Sequence, residues 1–115
     1  MSIESGRRYE QAACEYLERC GLQCLARNVR YRFGEIDLVM RDRGSIVFVE
    51  VRARQSARFG GALGSIDERK QRRVQLAAQR YLLRYRDDMP RCRFDVVTFD
   101  AGQIEWIRDA FDAQA

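Results

Sequence analysis

Two apolar stretches decide the fold of this 115-residue chain: GEIDLVM at residues 34–40 and IVFVEVR at residues 46–52. Each has the length and the β-branched content of a buried strand. The tight-turn sequence Asp42-Arg43-Gly44 between them predicts a hairpin whose glycine takes a positive φ. Each predicted strand carries one acid in its apolar interior, Asp37 in the first and Glu50 in the second. Both acids need an explanation other than core packing, because a carboxylate inside an apolar strand is costly unless it is paired.

The segments on either side of the hairpin predict an α-β-β-β-α-β-β order. Apolar residues at helical spacing predict a first helix over residues 4–20. A capping box, Ser65-Ile66-Asp67-Glu68, predicts the start of a second helix that extends to about residue 86, after a mobile glycine-rich loop at 55–64. The predicted strands are 22–29, 34–41, 45–54, 93–99 and 104–107. This order predicts a single α/β domain, residues 1–115, with a mixed β-sheet flanked by helices and a C-terminal β-hairpin.

The composition excludes several kinds of active site. The chain contains no histidine, which rules out Ser-His-Asp and Cys-His catalysis, histidine zinc sites and histidine pH switches. A general base must then be a carboxylate, a cysteine, a tyrosine, a metal-bound water or Lys70, the one lysine among 21 basic residues. The net charge of +4 permits an anionic partner such as a nucleic acid without requiring one.

The cysteines predict neither a disulfide framework nor a zinc site. Cys14, Cys20, Cys24 and Cys92 form no CxxC pair, and no histidine is present to complete a zinc site. The sequence shows no signal peptide, and its longest apolar run is far short of the ~18 residues that span a bilayer. We therefore expect a cytoplasmic protein with reduced thiols and no membrane partner.

Asp37 and Glu50 are predicted to lie on one face of the hairpin if its loop holds an even number of residues, because strand side chains alternate between faces. In one such register they are directly opposed. Two carboxylates about 4–5 Å apart repel each other unless a cation lies between them. Oxygen ligands without histidine favour Mg²⁺ or Mn²⁺. The alternative is a structural network in which the two acids pair with arginines.

Several motifs in the chain resemble the YraN-type family of uncharacterised bacterial proteins. They are GEIDLV at 34–39, FVEVRAR at 48–54 and RFDVV at 93–97, together with Gly6, Glu10 and Ala13 of the first helix. That family is similar to Holliday junction resolvases and to the wider PD-(D/E)xK nuclease superfamily. The resemblance implies a restriction-endonuclease-like αβββαβ core, which agrees with the predicted order of elements.

The resemblance also implies roles for the candidate site residues. Asp37 and Glu50 would be the metal-binding carboxylates, and the Val51 carbonyl would be a third ligand. Glu10 would contribute through a metal-bound water. Arg52 stands where the superfamily has its catalytic lysine. Because an arginine keeps its proton, Arg52 supplies charge and does not act as a base.

Lys70 is the candidate replacement for that lysine. It lies four residues after Ile66 and four before Val74, on the apolar stripe of the second helix and near its inward face. Three outcomes stay open: Arg52 clamps a phosphate, Lys70 reaches into the site, or the protein has lost activity. The alternative for Lys70 is an apolar stem that lies along the surface with its ammonium in water.

These features predict a Mg²⁺-dependent (or Mn²⁺-dependent) endonuclease that hydrolyses DNA phosphodiester bonds, in branched or single-stranded DNA. Contacts to the DNA backbone are expected from Arg54, Arg58, Arg69, Arg72 and Arg73. A second hypothesis is a catalytically weak or inactive protein of the same fold that binds nucleic acid. A third is a protein-interaction or dimerisation domain with an exposed interface formed by Trp106, Phe99 and Phe111. The alternative for these aromatic residues is that they belong to the core. The sequence leaves open whether the chain forms a homodimer.

Overall fold

The secondary structure follows the predicted α-β-β-β-α-β-β order. The structure, a computed structural model, describes residues 3–54 and 66–112, so the loop predicted at 55–64 lies outside the described residues. The helices are α1 (Ile3–Arg19) and α2 (Glu68–Leu82), and a 3₁₀ turn (Leu83–Tyr85) follows α2. The strands are β1 (Gln23–Tyr31), β2 (Gly34–Asp42), β3 (Ser45–Arg54), β4 (Arg91–Asp100) and β5 (Gln103–Phe111).

The strands form one five-stranded mixed sheet in the order β1-β2-β3-β4-β5. β3 and β4 are parallel, and the other neighbouring pairs are antiparallel. Parallel neighbours cannot be joined by a tight turn, so the chain crosses over through α2 between these two strands. The structure therefore confirms the predicted α/β class, with a mixed sheet, flanking helices and a C-terminal hairpin formed by β4 and β5.

Each face of the sheet has its own apolar core. α1 packs Leu17 into one core, and α2 packs Val74 into the other. β3 is buried on both faces because its side chains alternate between these cores, with Val49 in the first and Phe48 in the second. The acid in this strand, Glu50, is therefore surrounded by the protein interior.

The start of α2 corrects the sequence prediction. Its N-cap is Asp67, whose carboxylate accepts the Lys70 N–H with 2.9 Å between the nitrogen and Oδ1. An aspartate caps a helix as well as a serine does, and its charge is favourable beside the positive end of the helix dipole. The helix therefore begins at Glu68, and the cap is Asp67 instead of Ser65, which lies outside the described residues.

The turn between β2 and β3 also differs from its prediction. Asp42 pairs with Ser45, which leaves a loop of two residues. The positive φ of +59° falls on Arg43 and not on Gly44. Two-residue hairpin loops require a positive φ at their first central position, and Arg43 occupies that position.

Of the two alternatives for Trp106, Phe99 and Phe111, the structure supports core packing over an exposed interface. Phe99 is buried, and Trp106 is half-buried against the core on the α1 side. The Phe111 ring stacks on Phe94 with 4.9 Å between the ring centroids. Burial removes these large apolar rings from water, so the hypothesis of an exposed aromatic interface is wrong.

The structure also bears on the membrane and thiol predictions. No helix in the described part of the chain is both long and apolar enough to cross a bilayer. All four cysteines are free thiols, and burial raises the pKa of Cys14 to about 11.

Candidate functional site

Asp37 and Glu50 face each other across the β2–β3 hairpin. Leu38 pairs with Val49 in the antiparallel register, which makes Asp37 and Glu50 the next facing positions. The two-residue loop meets the even-number condition for a shared face. Glu50 is 2% exposed and the Asp37 side chain is 13% exposed. The hairpin therefore brings the two predicted carboxylates together in a largely buried position.

Beyond the Leu38–Val49 pair, main-chain N–H groups bond to the side-chain carboxylates of Asp37 and Glu50 and not to carbonyl oxygens of the neighbouring strand. The Asp37 N–H donates to Glu50 Oε2 at 3.2 Å, and the Val51 N–H donates to Asp37 Oδ2 at 2.8 Å. Each carboxylate thereby satisfies a main-chain N–H of these strands. The carboxylates thus lie where the backbone pairing of β2 with β3 ends.

One guanidinium connects both carboxylates. Arg52 Nη1 donates to Asp37 Oδ2 at 3.2 Å and to the Val51 carbonyl oxygen at 2.9 Å, and Nη2 donates to Glu50 Oε1 at 3.1 Å. These acceptors belong to the three residues that the family resemblance assigns as direct ligands of a metal ion. The structural arginine network that the sequence left open as an alternative is therefore present, and it involves the predicted metal ligands.

Burial raises the pKa of both acids. The pKa of Glu50 lies well above its ordinary value because the carboxylate is removed from water and faces Asp37, and the Arg52 charge only partly opposes this. Burial also raises the pKa of Asp37, against the opposing effects of the Val51 N–H bond and of Arg52. One arginine does not fully compensate two desolvated carboxylates, so the site favours additional positive charge.

A second arginine–carboxylate cluster, at the other end of the sheet, is more completely hydrogen-bonded. Arg93 Nε and Nη2 bond the Asp95 carboxylate at 3.0–3.2 Å, and Nη2 also bonds Asp42 at 2.9 Å. Asp95 is fully buried and accepts two more N–H groups, from Trp106 Nε1 and Asp109, each at 2.9 Å. This cluster is therefore a structural network with satisfied partners.

The Arg52 network is less complete than the Arg93 cluster. In the described part of the chain, Arg52 Nε is the one buried side-chain nitrogen or oxygen without a hydrogen-bond partner. Few buried polar groups in native structures lack a partner within the protein. The contrast between the two clusters identifies the Asp37–Glu50 pair as the functional candidate.

Lys70 borders the same site from α2. It lines a cavity of about 180 Å³ together with Glu50, Arg52 and Arg73. Lys70 is exposed, so the inward position predicted from the helical stripe is wrong, although the residue lines the edge of the cavity. Lys70 therefore borders the same cavity as Glu50 and Arg52.

A close contact between Gly34 and α2 sets this arrangement. A Cβ atom at Gly34 would lie 2.1 Å from the Arg73 carbonyl oxygen, so glycine is required for α2 to pass this near to β2. Arg73 is one helical turn beyond Lys70, and Gly34 begins the strand that carries Asp37. The glycine of the GEID motif therefore holds the Lys70 turn of α2 beside the acids.

Glu10 approaches the site from α1 without joining it. Burial and the charge of Asp37 raise the pKa of Glu10, and a hydrogen bond from the Asn28 side chain opposes this shift. Glu10 and Asn28 line a separate cavity of about 570 Å³. Glu10 is thus within electrostatic reach of Asp37, but it does not share the cavity that contains Glu50.

Two polar residues near the site were not identified from the sequence. Glu35 lines the Lys70 cavity, and its charge contributes to the raised pKa of both Asp37 and Glu50. Strand alternation could have found it, because Glu35 lies two residues before Asp37. Asn28 lies opposite Asp37 in the β1–β2 register with a φ of +49°, a conformation that asparagine adopts more readily than most residues.

The exposed face of α2 carries positive charge next to this site. Arg69, Arg72 and Arg73, which were predicted to contact DNA, are all exposed on this helix. Arg54 is the last residue of β3, and Arg58 lies outside the described residues. Three of the five predicted arginines therefore form a basic surface beside the carboxylates.

The oxygen donors at the site fit a divalent cation. No three acidic or cysteine side chains of residues 3–54 and 66–112 converge as metal ligands, so the available donors are two carboxylates and the Val51 carbonyl. Mg²⁺ prefers such hard oxygen ligands, and it retains several water molecules when the protein supplies only one or two carboxylates. The donor set is thus suited to Mg²⁺ or Mn²⁺.

Fold and site together define the class of protein. A mixed sheet built in the αβββαβ order, with a carboxylate pair on two adjoining central strands, makes this an α/β protein with a restriction-endonuclease-like core. The profile described as "Uncharacterised protein family UPF0102" matches residues 9–99. The chain belongs to this family, which is the YraN-type family that its motifs resemble.

Relatives in the family are similar over most of their length. A UPF0102 protein of Ralstonia pickettii is 50% identical over 119 residues, which cover 100% of this chain and 95% of the relative. A UPF0102 protein of Burkholderia lata is 54% identical over 109 residues, which cover 94% of this chain and 76% of the relative. The similarity therefore includes the elements that form the carboxylate site.

Proposed function

We propose that this protein is a Mg²⁺-dependent or Mn²⁺-dependent endonuclease that hydrolyses phosphodiester bonds in DNA, with branched or single-stranded DNA as its substrate class. The observation that carries the proposal is the Asp37–Glu50 pair, in which two buried carboxylates with raised pKa values share one arginine. Groups of this kind are expensive to bury and are typical of functional sites.

Asp37, Glu50 and the Val51 carbonyl would hold the cation. When bound, Mg²⁺ would lower the pKa of a water molecule and offset negative charge on the phosphate. The two negative charges of the carboxylates would balance the two positive charges of the ion. Hydrogen bonds from the Asp37 and Val51 N–H groups keep the carboxylates oriented for this role.

Positive side chains border the carboxylates on the α2 side. Arg52 and Lys70 line the same cavity, where their charges would stabilise the charge that develops on the phosphate during hydrolysis. Lys70 is able to exchange a proton, whereas Arg52 keeps its own. Arg69, Arg72 and Arg73 would bind neighbouring phosphates, which gives affinity without sequence preference.

A second candidate function is favoured by the geometry of Arg52. Its guanidinium bonds all three proposed metal ligands, so the site has a cation of its own. A nucleic-acid-binding protein with little or no turnover would have the same fold, the same basic helix and an arginine in this position. The two functions differ in whether DNA is cut.

A cleavage assay with structured DNA tests the proposal. Four-way junctions, flaps, single strands and linear duplexes are incubated with Mg²⁺, Mn²⁺ or EDTA, and DNA binding is measured in parallel. We expect metal-dependent cleavage of at least one substrate, its loss in D37N and E50Q, and its retention in R108Q, an exposed control at the other end of the sheet. Undiminished cleavage by both carboxylate variants contradicts the proposal. DNA binding without cleavage under either metal supports the second function instead.

A further inference from the structure

Arg52 lies among the oxygen atoms that the proposed function assigns to a metal ion. Its Nη1 atom bonds Asp37 Oδ2 and the Val51 carbonyl oxygen, and its Nη2 atom bonds Glu50 Oε1. We propose that Arg52 is the resident counter-cation of the Asp37–Glu50 pair, and that a divalent cation binds by displacing its guanidinium. This inference rests on the proposed function, because the displaced contacts are those of the proposed metal ligands.

The guanidinium and a divalent cation compete for the same oxygens. Asp37 Oδ2 already accepts two hydrogen bonds, from the Val51 N–H at 2.8 Å and from Arg52 Nη1 at 3.2 Å. A Mg²⁺ ion approaches its oxygen ligands to about 2.0–2.1 Å, which would bring it directly against the guanidinium. Two positive groups at about 4 Å repel each other strongly in a partly buried site. Occupancy of the site by one cation therefore excludes the other.

Arg52 is held in a way that allows it to leave. Its Nε atom has no hydrogen-bond partner among the described residues, whereas Nε of Arg93 bonds both oxygens of Asp95. The Arg93 guanidinium is therefore held at its Nε atom, whereas no described residue holds the Arg52 guanidinium there. The difference indicates that Arg52 balances charge in the metal-free protein and is not a permanent structural tie.

A place for the displaced side chain lies next to the site. The Arg52 side chain is 22% exposed and lines the cavity of about 180 Å³ that it shares with Glu35 and Lys70. The Glu35 side chain, 59% exposed, lies in the wall of that cavity, where its Oε2 atom is 3.4 Å from Arg30 Nε and its other carboxylate oxygen could accept Arg52. In this cavity the Arg52 guanidinium would lie beside Lys70. A substrate phosphate bound there would contact both positive groups. Metal binding would thereby move Arg52 from the ligands toward the substrate.

Mn²⁺ binding provides a test that does not depend on cleavage. Free Mn²⁺ is titrated by electron paramagnetic resonance against the wild type, R52Q, R73Q and the double variant D37N/R52Q. R73Q is the matched control, because it removes an equal charge from the wall of the same cavity. We expect R52Q to bind one Mn²⁺ at least about tenfold more tightly than the wild type, since the binding-competent fraction of the site rises. R73Q should change the affinity by less than about threefold because its charge is exposed and screened. D37N/R52Q should lose the gain.

A second measurement uses the wild-type protein and covers the case in which R52Q does not fold. The Arg52 Nε–H resonance is assigned by its absence in R52K and is followed by ¹H–¹⁵N NMR as Mg²⁺ is added. We expect a saturable shift of this resonance. An unmoved resonance at saturating Mg²⁺ overturns the displacement. An unchanged or weaker Mn²⁺ affinity in R52Q, with binding lost in D37N/R52Q, overturns it as well. Both of those results contradict only the displacement of Arg52 and are compatible with the proposed metal-dependent function. Absence of Mn²⁺ binding in the wild type and in R52Q overturns the displacement and the proposed function together.

Discussion

The Asp37 N–H donates to the Glu50 carboxylate, with 3.2 Å between Asp37 N and Glu50 Oε2. The Val51 N–H, next to Glu50 in the chain, donates in turn to Asp37 Oδ2. Each acid is therefore oriented by the backbone that carries the other, and this arrangement depends on the hairpin register and not on Arg52. The carboxylates are expected to keep their orientation when Arg52 moves.

The raised pKa of Glu50 predicts an unusual pH dependence of stability. Its folded-state pKa lies above the ordinary value of 4.5, so the folded protein retains a proton that the unfolded chain has lost. The free energy of unfolding should therefore fall as the pH rises from about 4.5 through the folded-state pKa. E50Q should flatten this dependence. Urea denaturation in EDTA at a series of pH values measures it, with E105Q as an exposed control. Identical pH slopes for the wild type, E50Q and E105Q would show that Glu50 does not retain its proton.

The contact between Gly34 and Arg73 predicts that even a methyl group is too large at this position. G34A should lower the free energy of unfolding by about 1–3 kcal/mol, because the Arg73 carbonyl lies 2.1 Å from the added Cβ and α2 must shift. G44A is the matched control, since no atom of the described residues apart from its chain neighbours lies within 4 Å of a Cβ there. Its effect should stay within about 0.5 kcal/mol. Urea denaturation compares the two. Equal effects would argue against the close packing of α2 on β2.

Lys70 is predicted to act on the reaction and not on metal binding. K70Q should lower the cleavage rate by about 10²-fold, because a positive charge beside the phosphate is removed. Its Mn²⁺ affinity should remain close to that of the wild type, because Lys70 is not among the proposed ligands. R69Q, one residue earlier on the exposed face of α2, is the control for a general decrease in charge. A cleavage rate in K70Q equal to that of R69Q would leave Lys70 without a specific role.

The basic face of α2 is predicted to bind DNA through phosphates. R69Q/R72Q should weaken DNA binding and reduce the slope of log affinity against log salt by about 0.9 for each duplex phosphate that the variant no longer neutralises. R43Q/R108Q removes the same charge from exposed arginines that line a cavity at the other end of the sheet, and it should have much less effect. Fluorescence anisotropy at several salt concentrations compares the two variants. An equal decrease in affinity in both would indicate attraction by net charge alone.

The sequence predicted much of the site because strand geometry is local. Side chains alternate along a strand, so an apolar run with one acid in it and an even loop were enough to bring Asp37 and Glu50 to one face. The same reasoning could have included Glu35. The start of α2 was harder to predict, because Ser65 and Asp67 are equally good caps and only the tertiary structure selects Asp67.

The sequence by itself determined the order of the elements, the hairpin and the two acids at its centre, since these depend on periodicity and turn length. The tertiary structure decided that the Arg52 guanidinium joins both acids, that Gly34 meets the Arg73 carbonyl, and that Lys70 borders the carboxylate cavity. These relationships depend on how a helix distant in sequence packs on the sheet and on which oxygens a long, flexible side chain reaches. No local pattern in the sequence encodes either of them.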